Sequence, residues 1–131
     1  MTKKELRNYR SIVSEIDEIR DRLNNSTVHS TVTGSDKEFP YVKHTISVSG
    51  VEETEYNRRD MILIRRLEMT KQEIEDFVQR IPDSITRRIF TYRYINGKDM
   101  PSWQYIAFKI GGGNSADGVR KRAQRYLEEI D

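Results

Sequence analysis

The chain has 131 residues, no cysteine and only two histidines, His29 and His44. The absence of cysteine excludes disulfide bonds, thiolate metal sites and cysteine nucleophiles, and two histidines are too few for a histidine-rich metal site. No apolar run approaches the roughly 20 residues that a membrane-spanning helix needs. Met1–Glu5 leads into charged sequence, not into the apolar segment of a signal peptide. We therefore expect a cytoplasmic protein with no membrane partner.

Apolar residues are scarce as well, at 35% of the chain, while 34% of the residues are charged and the mean hydropathy is −0.81. A typical globular domain is about half apolar and a quarter charged. This composition argues against one large core and favours long, partly exposed helices. The length allows one compact domain, or a small domain with helical extensions.

The sequence has no pattern that is typical of an enzyme. Its clustered carboxylates, such as Asp17, Glu18 and Asp21, fall on charged helix faces without a paired base or nucleophile. Gly111–Gly113 is not followed by the Lys and Ser/Thr of a phosphate-binding loop. We expect no catalytic site, no metal site and no cofactor.

The net charge of +2 is unevenly distributed along the chain. Residues 1–83 carry a net −2, residues 84–127 carry nine Lys and Arg against two acids, a net +7, and the acids Glu128, Glu129 and Asp131 contribute −3. A compact basic segment of this kind attracts a polyanion such as nucleic acid, although a basic solvated surface is an alternative.

The N-terminal half is predicted to be helical. Thr2 and Glu5 form a capping box that begins a helix. An apolar stripe of Ile12, Ile16, Ile19 and Leu23 follows and ends near Asn24–Ser26. A second helix is predicted from about Glu52 to Ile81, with a possible new start at the capping box Thr70–Glu73. Its apolar row contains Leu63, Leu67, Ile74, Phe77 and Ile81.

Both apolar stripes need a partner. An antiparallel hairpin or coiled-coil-like pairing within residues 1–82 is the simplest arrangement, and homo-oligomerisation through the same seam is the alternative. Between the two helices, residues 25–51 are poor helix formers and predict a long, partly extended loop. Val42, His44, Ile46 and Val48 alternate with polar residues there, which is also compatible with a short strand.

Residues 83–131 predict a separate domain of three short helices, which makes the expected fold class all-α. Asp83 or Ser84 caps the first helix, whose inward side is Ile85, Ile89, Tyr92 and Ile95, and Asn96–Gly97 ends it. Pro101–Ser102 begins the second helix, with Trp103 as a structural anchor and Ile106, Ala107 and Ile110 inward. Gly111–Gly113 and a cap at Asn114–Ser115 precede the third, with Ala116, Val119, Ala123, Tyr126, Leu127 and Ile130 inward. The tight second connection is typical of a helix-turn-helix.

The outward face of the third helix carries side chains that suit base edges and phosphates. Arg and Lys pair with guanine, Gln with adenine, and Asp accepts a hydrogen bond from cytosine. Recognition helices place such residues in their N-terminal turns. We therefore predict double-stranded DNA as the partner, contacted by Arg87, Arg88, Lys109, Asn114, Ser115, Asp117, Arg120, Lys121, Gln124 and Arg125.

Residues 84–127 resemble the sigma-type helix-turn-helix that binds minus-35 promoter elements. The similarity lies in Trp103–Gly111, which contains the Ile-Ala and Ile-Gly pairs, and in Ser115 followed by Val119-Arg120-Lys121-Arg122. The Gly-rich turn is longer than is usual in that family. The whole chain is similar in size and order to the RinA/ArpU-like late-transcription regulators of phages that infect Gram-positive bacteria, and Glu38–Tyr41 is also found in that group.

The resemblance implies promoter binding, contact with host RNA polymerase and activation of late genes in a bacterial cell. A phage small terminase subunit for DNA packaging is one alternative, although its DNA domain usually precedes the oligomerising helices. An inhibitor of a host nucleic-acid machine is another.

Overall fold

The computed structural model describes residues 1–31 and 55–130, and every regular element in these ranges is helical, which confirms the all-α fold class. The alternating run Val42–Val48 and His44 lie outside the described residues. No helix in these two ranges is long and apolar enough to cross a membrane. The described elements are α1 (Lys3–Arg7), α2 (Tyr9–Thr31), α3 (Glu55–Gln79), α4 (Ser84–Phe90), a π-helical turn (Thr91–Ile95), α5 (Trp103–Ile110) and α6 (Ala116–Ile130).

The chain divides into two compact units. The central unit comprises residues 13–69, and the terminal unit comprises residues 1–12 together with 70–131. The predicted domain of residues 83–131 therefore forms only part of the terminal unit, which also includes the first helix and the end of α3.

In the central unit, ion pairs join α2 to α3 in antiparallel order. Arg20 pairs with Glu68, and Arg22 donates to both oxygens of Asp60 from Nε at 3.1 Å and Nη2 at 2.9 Å. Ile16, Ile19 and Leu23 are buried, as the stripe on α2 predicts. On the part of α3 in this unit, Ile64 is the buried apolar residue among those described, with the polar Asn57 and Asp60 also buried, whereas Leu63 and Leu67 are half-buried. Because one copy of the chain buries the α2 stripe, that burial requires no second copy.

One predicted helix end is wrong, and one possible helix start is not used. α2 continues to Thr31, past the end expected at Asn24–Ser26 and into the segment assigned to the loop of residues 25–51. Asn, Ser and Thr lie only a few tenths of a kcal/mol below other residues in helix propensity, so they do not stop a helix that has already nucleated. α3 passes through Thr70–Glu73 without interruption.

The core of the terminal unit is centred on Phe90, which is fully buried. Its ring lies 5.6 Å from the rings of both Tyr94 and Tyr126 and 6.4 Å from that of Phe77, measured between centroids. These four aromatic residues join α3, α4, the π-helical turn and α6. The other buried apolar residues of the unit are Leu6, Tyr9, Ile12, Ile74, Val78, Ile81, Ile89, Ile106, Ala107, Val119, Ala123 and Leu127.

The inward side of residues 85–95 differs from the prediction, first within α4 at Ile85 and Phe90 and then in the π-helical turn at Tyr92, Tyr94 and Ile95. Ile89 is buried as expected, but Ile85, Tyr92 and Ile95 are only half-buried, and Phe90 and Tyr94 occupy the core instead. The amide of Asn96 donates to the Thr91 carbonyl at 2.9 Å, five residues earlier. A π-helical turn holds one more residue than an α-helical turn, so it shifts the buried face of everything that follows.

The first residues of the chain belong to the terminal unit. The predicted capping box is confirmed: the Thr2 amide donates to Glu5 Oε2 at 2.6 Å, and the Glu5 amide donates to Thr2 Oγ1 at 3.2 Å. Tyr9 donates its hydroxyl proton to Glu75. Arg10 donates to the carbonyl oxygens of Arg93 at 2.8 Å and Asn96 at 2.7 Å. The guanidinium of Arg10 therefore caps the end of the π-helical turn.

Candidate nucleic-acid interface

The predicted interface is built on α5, α6 and the connection between them. Ser102 caps α5 by accepting from the Tyr105 amide at 3.1 Å, and Gly111 ends this helix with φ 71° and ψ −155°. Ser115 Oγ accepts from the Gly118 amide at 3.0 Å at the start of α6. α6 packs against both α5 and α4. These local caps fix where each helix begins and ends.

The connection between the two helices uses the side chains of two predicted DNA contacts. Gly111, Gly112 and Gly113 all have positive φ, a conformation that other residues rarely adopt. Asn114 Nδ2 donates to the Gly111 carbonyl at 2.8 Å, and Ser115 is occupied by its cap. The structure therefore places Asn114 and Ser115 in the predicted region but engages their side chains within the turn.

The two faces of α6 are separated as the sequence predicts. Val119, Ala123 and Leu127 are buried. The predicted contacts on the opposite face are all exposed: Asp117, Arg120, Lys121, Gln124 and Arg125. Ile130 was expected to point inward but is 43% exposed, because the last turn of α6, Glu128–Ile130, is exposed on all sides.

Asp117 organises the N-terminal turns of this exposed face. Its carboxylate accepts from Arg120 Nη2 at 2.6 Å and pairs with Lys121 Nζ at 3.0 Å. These hydrogen bonds hold the pKa of the Asp117 carboxyl below its usual range. Gln124 Nε2 donates to Glu128 Oε1 at 3.3 Å. Exposed pairs of this kind contribute little to stability, so base edges or phosphates can replace them at small cost.

The three remaining predicted DNA contacts, Arg87, Arg88 and Lys109, differ in how accessible their side chains are. Arg88 of α4 and Lys109 near the C-terminal end of α5 are both exposed, and Arg88 Nη2 lies 3.4 Å from the Lys109 carbonyl oxygen. Lys109 Nζ also lies 5.5 Å from the centre of the Tyr105 ring. Arg87 is half-buried, and its Nη1 donates to the Ile81 carbonyl at 2.8 Å. Arg87 therefore connects α4 to the end of α3.

Arg122 is a structural residue that the site prediction omitted. Its Nη2 donates to Asp83 Oδ2 at 3.1 Å, and its Nε lies 3.3 Å from Thr86 Oγ1. Asp83 caps α4, and hydrogen bonds from Thr86 lower the pKa of its carboxyl, with a smaller contribution from Arg122. At about 100° per residue, Arg122 lies beside the Val119 row, so its angle on α6 could have indicated a role in packing.

Residues 1–31 and 55–130 contain no group of three His, Asp or Glu side chains that could hold a metal ion.

Comparison of the chain with protein-family models, with curated proteins and with solved structures found no match in any of the three.

Proposed function

We propose that the protein is a sequence-specific DNA-binding transcription regulator in which α5 and α6 form a helix-turn-helix and α6 enters the major groove. The observation that carries this proposal is the division of α6 into a face packed on α4 and α5 and an exposed face of hydrogen-bonding side chains. These side chains lie in the N-terminal turns, which is where recognition helices contact bases. The basic segment of residues 84–127 provides attraction to phosphates.

We assign the exposed basic and polar side chains to two kinds of contact, with base edges and with phosphates. Lys121 and Gln124 lie near the centre of the exposed face of α6 and would contact base edges. In the free protein the Asp117 carboxylate pairs with Lys121 and Arg120, and bound DNA would replace Asp117 as their partner. Arg88, Lys109, Arg120 and Arg125 would contact the phosphate backbone. Arg87 is not assigned a contact, because the Ile81 carbonyl already engages its guanidinium. The regulatory role rests on the resemblance of residues 84–127 to the sigma-type helix-turn-helix.

Selection of bound sequences from a random duplex library, followed by titration on selected and scrambled duplexes, tests the proposal. Gln124→Ala and Lys121→Ala should lower affinity for the selected duplex far more than for the scrambled one, because a good base contact discriminates by about 1–3 kcal/mol. Arg125→Ala should lower both affinities, because phosphate contacts carry no sequence information.

Gln79→Ala is the matched control, since Gln79 is an exposed glutamine at the end of α3, outside the proposed interface. It should leave both affinities unchanged. If Gln124→Ala has no effect while Lys121→Ala and Arg125→Ala cause equal losses on both duplexes, α6 attracts DNA by charge and does not recognise sequence. A wild-type protein that binds no duplex at low salt would refute DNA binding altogether.

A further inference from the structure

The terminal unit has a cavity on each side of α6. One, of about 750 Å³, is open to solvent and lies between α1, the π-helical turn, α5 and the Arg120–Gln124 side of α6. The other, of about 540 Å³, lies between α4 and the Arg125 side of α6. We refer to them as the α1 cavity and the α4 cavity.

The two cavities differ in charge. The α1 cavity is lined by four cations, Lys3, Arg7, Arg93 and Arg120, and by one acid, Glu128. The α4 cavity is lined by two cations, Arg122 and Arg125, and two acids, Asp83 and Glu129. Arg122 and Asp83 also form an ion pair with each other. The lining of the α4 cavity is therefore neutral, whereas the lining of the α1 cavity carries three positive charges in excess. One of these cations, Arg120, also pairs with Asp117, which lies outside the lining.

Arg93 is the most constrained cation of the α1 cavity. Its guanidinium carbon lies 4.0 Å from the centre of the Trp103 ring, and its Nη1 donates to the Pro101 carbonyl at 2.6 Å. Its Nε is buried and has no hydrogen-bond partner among the described residues. Burial lowers the pKa of Arg93, Tyr94 partly offsets this effect, and the positive charges of Arg7 and Arg10 lower the pKa further. An anion in the cavity would offset this repulsion.

We infer that the α1 cavity is a phosphate-binding site, occupied by a phosphodiester of bound DNA or by a small phosphorylated ligand. Cations from α1, the π-helical turn and α6 converge on it, and guanidinium and ammonium groups are the common protein partners of phosphate. The cavity adjoins Arg120 and Gln124, so a DNA strand beside α6 passes Lys3 and Arg7. The DNA occupant rests on the proposed function, whereas the small ligand does not.

Lys3 and Lys4 provide a matched pair of variants for the test. Both are exposed in α1, and Lys3 lines the α1 cavity whereas Lys4 does not. Lys3→Gln and Lys4→Gln remove the same charge from adjacent positions, and neither disturbs a buried residue. Each variant is titrated with a duplex of mixed sequence at several salt concentrations, and separately with pyrophosphate.

In the duplex arm, Lys3→Gln should lower affinity roughly fivefold at about 0.1 M salt and reduce the slope of log affinity against log salt by about 0.9. Lys4→Gln should leave that slope unchanged. In the pyrophosphate arm, binding is followed by the NMR signals of Arg93 Nε–H and the Trp103 indole N–H. These signals should shift in wild type and in Lys4→Gln, and less in Lys3→Gln.

The two arms distinguish the occupants and separate this inference from the proposed function. A Lys3-specific effect in the duplex arm assigns the site to DNA, and one in the pyrophosphate arm alone assigns it to a small phosphorylated ligand. If wild type binds no duplex but binds pyrophosphate through Lys3, the proposed function fails and the phosphate site stands. Equal effects of Lys3→Gln and Lys4→Gln in both arms, or no effect in either, overturn the phosphate site.

Discussion

Gly111, at the junction of α5 with the turn that precedes α6, provides a sharp test of the interface geometry. Its φ of 71° and ψ of −155° lie in a region that is essentially restricted to glycine, where another residue costs about 1–3 kcal/mol. A Cβ at this position would meet no atom within 4 Å, so Gly111→Ala introduces no clash. Reduced freedom of the unfolded chain offsets about 0.4–1 kcal/mol of the strain. We therefore expect Gly111→Ala to lower the free energy of unfolding by about 1–2 kcal/mol.

Urea unfolding of the full chain measures this loss, and D-alanine introduced at position 111 by protein ligation is the control. The observed angles mirror the extended region that L-residues favour, so D-alanine adopts them without strain. It should match or slightly exceed the stability of wild type. If L-alanine unfolds at the same urea concentration as wild type, the turn does not hold this conformation. Equal losses for L- and D-alanine would place the cost in the side chain and refute the backbone explanation.

Three further predictions concern the interactions that stabilise the two units. Ile16 is 3% exposed, so Ile16→Asp places a carboxylate in the core of the central unit and should lower the free energy of unfolding by several kcal/mol. Thermal unfolding measures this loss, with Ile16→Val as the mild control, and an unchanged unfolding temperature for Ile16→Asp would contradict it. Because the pKa of Asp83 is lower in the folded protein than its ordinary value of 3.8, its carboxylate stabilises the fold above pH 3.8, and this stabilisation is lost as the pH falls through the folded-state pKa. Asp83→Asn should therefore be less stable than wild type at neutral pH, and the difference in the free energy of unfolding should shrink in acid. A pH-independent difference would exclude the charge of Asp83 as its cause. Residues 83–131 alone should show little helical circular dichroism, because they lack the buried residues supplied by 1–12 and 70–82; a cooperative unfolding transition in this fragment would contradict that expectation.

The features that could be predicted from the sequence are those that depend on a few neighbouring residues. The capping box at Thr2 and Glu5 and the caps Asp83 and Ser102 are all where the sequence places them. Each is specified by a side chain that bonds to an amide two or three positions later. The exposed face of α6 also follows from the 3.6-residue period, because that helix is regular over its whole length.

The features that could not be predicted depend on a change of period or on distant contacts. The π-helical turn places Tyr94 in the core in place of Tyr92 and Ile95, and no 3.6-residue pattern can show such a shift. The hydrogen-bond partners of Arg87 and Arg122 depend on which acceptor the fold brings within reach, the Ile81 carbonyl for Arg87 and the Asp83 carboxylate for Arg122.

The placement of the first twelve residues has the largest consequence for function. Arg10 bonds to carbonyl oxygens that end the π-helical turn, more than 80 positions later in the chain, while Tyr94 of the same turn packs against Phe90. Phe90 in turn contacts Tyr126 of α6, the helix that carries the proposed recognition face. A continuous set of contacts therefore links the start of the chain to α6. Because burial and hydrogen bonding both hold the N-terminal segment in this place, the segment helps to position the proposed DNA-binding surface of α6. The same segment contributes Lys3 and Arg7 to the α1 cavity.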